Sequence, residues 1–102
     1  MTEESREKLK GYHKMLLEYQ QLFENAATRP EPFNVRVEGG PVQKLAGELQ
    51  RVEADFPGLL QPFNMDEILA FRSLKGRPYY ENASIRAYLA GAIAGVEAAL
   101  GE

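Results

Sequence analysis

Asn64-Met65-Asp66-Glu67-Ile68-Leu69-Ala70-Phe71-Arg72-Ser73-Leu74-Lys75-Gly76-Arg77-Pro78-Tyr79-Tyr80 is the stretch on which the fold turns. Asn64 followed three residues later by Glu67 has the capping-box pattern, in which two side chains satisfy free amides at a helix start. Ile68, Leu69, Phe71 and Leu74 then fall on one side of a helix, and Gly76 is the residue type that ends one. The pattern predicts a helix over 65–75, followed by a loop through Lys75, Gly76, Arg77 and Pro78.

Outward on the C-terminal side, a helix is expected over 82–100. Ile85, Tyr88, Leu89, Ile93, Val96 and Leu100 form its large apolar face. A second row, Ala83, Ala87, Gly91, Gly95 and Ala99, is entirely small, which suits close approach of a neighbouring helix. Outward on the other side, Pro41 opens a helix over 41–56 whose apolar face is Val42, Leu45, Ala46, Leu49, Val52 and Phe56. Pro57 and Gly58 stop it.

The N-terminal helix is expected over 3–27, capped by Thr2 with Glu3 and Glu4 at its positive end. Leu9, Tyr12, Leu16, Tyr19, Phe23 and Ala26 recur at spacings of three and four along it, a seam of about three heptads. Residues 33–38 alternate, with Phe33, Val35 and Val37 on the apolar side, and form the one strand signal read in the chain. An isolated strand cannot satisfy its own backbone, so this segment either lies extended on the helices or pairs with another chain. The expected fold is therefore all-α: about four helices, 3–27, 41–56, 65–75 and 82–100, around one core in a single domain, with a short extended segment at 33–38.

Composition narrows the chemistry. The 102 residues are 44% hydrophobic and 26% charged, enough for one ordinary domain without a disulfide or metal staple. With no cysteine, disulfides, thiolate metal sites and thiol nucleophiles are excluded. A net charge of −3 argues against a general nucleic-acid coat. The charged N-terminus does not read as a secretory leader and no apolar window reads as a membrane span, so a cytoplasmic location away from membranes is expected. The sequon Asn82-Ala83-Ser84 is accordingly read as idle.

His13, the single imidazole, has no evident nucleophile or orienting carboxylate in the sequence, and the acids fall where helix starts and solvated faces want them. No catalytic, cofactor-binding or metal-binding set is visible, and an enzyme is not expected. The informative polar cluster is Arg72, Lys75, Arg77 and Arg86, interleaved with Phe71, Tyr79 and Tyr80. The expected function is a non-catalytic interaction, regulatory or adaptor module. It is expected to be a homodimer or larger, assembled through helix 3–27, whose apolar stripe is wider than one neighbour covers, or through the 33–38 strand, with a further protein partner as a second expectation. Tyr12, Tyr19 and Phe23 of the first helix, Phe33, Val35 and Val37 of the strand, and Arg72, Lys75, Arg77, Tyr79 and Arg86 are its expected contact residues. The alternative is a nucleic-acid-binding regulator using the basic and aromatic residues of 71–86, since cations beside aromatics grip phosphates and stack bases.

Overall fold

A computed structural model of the chain describes residues 1–31 and 34–101. Three long helices, α1 (Glu3–Ala26), α2 (Gly39–Asp55) and α3 (Asn82–Gly101), are joined to a small antiparallel sheet of β1 (Arg36–Glu38), β2 (Leu69–Arg72) and β3 (Pro78–Glu81). The fold is thus a mixture of helix and sheet, and the all-α expectation fails at 65–75. The strand order is β1-β3-β2.

The failure has a local cause. Asn64 does cap, its side chain accepting from the Asp66 amide, but what it starts is one short 3-10 turn, Met65–Ile68. Ser73 then closes a hairpin: its amide donates to the Arg77 carbonyl at 2.8 Å and its carbonyl accepts from the Gly76 amide at 2.8 Å. Gly76 lies at φ +81°, the left-handed conformation that closes a three-residue hairpin loop and that side chains resist. Gly76 therefore ends no helix; it turns β2 back into β3. Four apolar residues in a short window satisfy both a helical face and a strand, and the tertiary pairing chooses.

The strand at 33–38 shortens to three residues, and Pro32 and Phe33 lie outside the described residues. It has its partner within the chain. Val37 pairs with Tyr80 and Arg36 with Glu81, and the Asn82 amide extends the ladder by donating to the Val35 carbonyl at 2.9 Å. β3 also pairs with β2, Leu69 opposite Tyr80 and Phe71 opposite Tyr79, with a bulge between them.

α1 and α3 run antiparallel, since His13 sits beside Glu97 while Phe23 meets Asn82. α2 also runs against α1, with Tyr12 and Lys8 reaching Asp55 at its far end. The sheet closes the end where α2 and α3 begin, giving an elongated body of 49 × 24 × 16 Å. Leu9, Leu16 and Phe23 of the α1 seam are at most 1% exposed and pack with Val42, Leu45, Ile85, Leu89 and Val96. The chain's own helices cover the seam, and its own β3 satisfies the strand. The strand therefore no longer calls for a second copy, whereas Leu17 and Leu22 beside the seam remain 41% and 45% exposed.

The small row of α3 is also corrected. No helix lies on it. Gly95 meets the Leu59 carbonyl and Leu60 of the loop after α2, whereas a side chain at Gly91 would meet nothing. By length and composition alone α3 is apolar enough to cross a membrane, contrary to the expectation that no window reads as a span. Here its large residues Ile85, Leu89, Ile93 and Val96 are buried in the core.

Candidate functional site

A half-open groove of about 810 Å³ lies between α2 and the segment that follows it. Ala46, Leu49, Gln50 and Glu53 project from one helical wall, as spacings of three and four place side chains on one face. The opposite wall is the 58–66 segment, with Leu60, Phe63 and Met65 as its apolar members. Tyr88 of α3 forms the base. Its ring packs against Phe63 at 4.8 Å, and its hydroxyl donates to the Gln61 carbonyl at 2.6 Å. Burial pushes the Tyr88 hydroxyl above its ordinary pKa, and the nearby Glu53 carboxylate adds to the effect.

The loop wall is held from both ends. Gly58 takes φ +78°, and its amide donates to both oxygens of Glu53 at 3.2 and 3.3 Å. Asn64 anchors the other end through its cap on the 3-10 turn. Leu59, Leu60 and Phe63 tuck against the core, so the wall has a defined shape. The groove's charged lining consists of Glu53 and Asp66, with no lysine or arginine among the described residues that line it. It is an apolar trough with an acidic rim.

The residues expected from sequence as contacts are scattered. Phe23 and Val37 are buried in the core, and Tyr19 packs against it half-buried. Tyr12 is engaged with Asp55 through a short hydrogen bond and packs edge-on against Phe56 at 6.2 Å. That bond raises the Tyr12 hydroxyl to a pKa of about 12 and lowers the Asp55 carboxyl. Val35 is exposed. Arg86 is taken up by Asn82, its Nε donating to Oδ1 at 2.8 Å. The sheet does bring together Tyr79, Arg72, Lys75 and Arg77, on and around the β2–β3 hairpin.

None of the expected contacts lines the groove. Its far wall comes from Pro57-Gly58-Leu59-Leu60-Gln61-Pro62-Phe63, where two prolines bracket two leucines and Phe63 follows at once. Apolar content in a proline-bounded connection was the signal available, because connecting segments are ordinarily polar and solvated. His13 has its Nε2 3.6 Å from a Glu97 oxygen, bridging α1 to α3, and neither residue lines the groove. Among the described residues no three His, Asp or Glu side chains come together in a way that could hold a metal ion. Comparisons of the chain with protein-family models, with curated proteins and with solved structures return no match.

Proposed function

We propose that this chain is a non-catalytic interaction module of the cytoplasm that captures a short segment of a partner protein in the groove between α2 and the 58–66 segment. The observation that carries the reading is the trough itself: an apolar floor and walls of Leu49, Leu60, Phe63, Met65 and Tyr88, rimmed by Glu53 and Asp66. A segment with two apolar anchors flanked by lysine or arginine complements it in shape and charge. Small ligands need deeper enclosure, since they bury most of their surface, and a trough open along one side suits a chain that passes through it. Met65 adds an adaptable side chain to the wall. A location away from membranes is supported by the burial of Ile85, Leu89, Ile93 and Val96 of α3 in the core.

Selection from a random dodecapeptide library tests this. The enriched peptides should carry paired apolar residues with basic flanks and bind with micromolar affinity. Titrated into isotope-labelled protein, they should shift the amides of 46–53 and 58–66. Leu60→Glu, at the half-buried groove wall, should abolish binding. Failure to enrich such peptides, or equal binding by Leu60→Glu, would overturn the assignment.

A further inference from the structure

A second surface lies on the sheet, whose β2 follows the groove wall in sequence. Alternation along β1 and β3 sends Val37 and Tyr80 toward the core and Arg36 and Tyr79 to the opposite face, and the bulge in β2 lets Leu69 join the core side while Phe71 faces out beside Tyr79. There the rings of Phe71 and Tyr79 stack, 4.9 Å between centroids and 7° from parallel. The Arg36 guanidinium lies over the Phe71 ring, 5.4 Å from its centroid. Phe71 is nevertheless 43% exposed, which is unusual for a phenylalanine in a sheet with a core to join. The hairpin that carries this stack also carries Arg72, Lys75 and Arg77, all exposed.

We propose that this face is a binding platform for a single-stranded nucleic acid. Arg36 lies at the aromatic pair, and Arg72, Lys75 and Arg77 are exposed on the adjoining hairpin, Arg72 donating to the Gly76 carbonyl at 3.2 Å; the strands carry two carboxylates, Glu38 and Glu81, in a chain whose net charge is −3. Positive charge is thus enriched along the hairpin that carries the aromatic stack. Glu81 lies 3.9 Å from Arg36, an exposed and weak pairing that a phosphate can replace. The aromatic faces accept any unstacked base, while the guanidinium and ammonium groups follow the backbone. A duplex keeps its bases stacked and offers this platform no π-face. An acidic peptide would use the cations but not the exposed rings. The platform stands whether or not the groove binds peptide.

A labelled fifteen-nucleotide oligothymidylate, followed by fluorescence anisotropy at low salt, tests the platform. Micromolar binding is expected, with log affinity falling against log salt at a slope of about −2, as three phosphate contacts on a single strand give. Phe71→Leu keeps an apolar side chain in the hairpin but removes the ring, and should weaken binding about 5- to 100-fold. Lys75→Glu, at the exposed turn where folding is not at stake, should weaken binding and flatten the salt slope. Duplex DNA of the same length should bind more weakly, and a polyglutamate peptide at equal ionic strength should not displace the strand. The proposal is overturned by absence of binding, by Phe71→Leu or Lys75→Glu binding within twofold of wild type, by equal affinity for duplex, or by displacement with polyglutamate.

Discussion

Asn82→Ala should destabilise the fold more than its single side chain suggests, because Asn82 ties three elements at one buried point. It is fully buried. Its Nδ2 donates to the Phe23 carbonyl of α1 at 3.1 Å, and its Oδ1 accepts from Arg86 Nε at 2.8 Å. Its backbone amide donates to Val35, a bond that alanine keeps. The Phe23 carbonyl still receives the Ala27 amide, so losing Nδ2 costs about 1 kcal/mol, the ordinary net value of a hydrogen bond. Arg86 is half-buried and loses a charge-assisted bond, for which about 1.5–3 kcal/mol is typical. The sum is about 2–4 kcal/mol in a domain whose class holds about 5–15, and should lower Tm by about 10–20 °C. Thermal melts followed by circular dichroism, with urea titrations for the free energy, measure it. In an Arg86→Ala background the cost of Asn82→Ala should shrink by at least about 1 kcal/mol, since the two side chains share one bond. A fall in Tm of less than about 4 °C, or full additivity with Arg86→Ala, would refute the reasoning.

Two further outcomes are expected. Gly39→Ala should destabilise by about 1–2 kcal/mol, because its new carbon would sit 2.9 Å from the Pro78 ring, whereas Gly40→Ala meets nothing and should be neutral or slightly stabilising; urea midpoints of the two variants compare them directly. The stability difference between wild type and Tyr12→Phe should depend on pH at both extremes. The raised Tyr12 pKa stabilises fully below its ordinary 10.0 and loses that contribution as pH rises toward about 12; the lowered Asp55 pKa stabilises above its ordinary 3.8 and loses it as pH falls through the folded value. Urea midpoints from pH 2 to 12 should therefore converge for the two proteins at either end and differ most between about pH 5 and 9.

The three long helices were legible because helices are local objects. Thr2 with Glu3 and Glu4, the apolar spacing from Leu9 to Phe23, and the large residues from Ile85 to Val96 lie within a few turns of one another, and each places a helix within two residues of its true bounds. Leu16 and Ile93 were readable as core for the same reason. The groove was not legible. Its walls are separated by a chain reversal at Gly58, and its base, Tyr88, arrives from a helix about thirty residues on.

What the sequence alone determined was the helical framework and the apolar stripes that join its members. Whether 69–72 became helix or strand was settled only in three dimensions. Asn64 caps in either case, and Ile68, Leu69 and Phe71 have an apolar side in either case. The tertiary structure decided through β3, which lies between β1 and β2 and pairs Val37 with Tyr80, forty-three residues apart. A strand's hydrogen bonds are made by its neighbour, so no window of sequence contains them; a helix's are made within itself, and every window does.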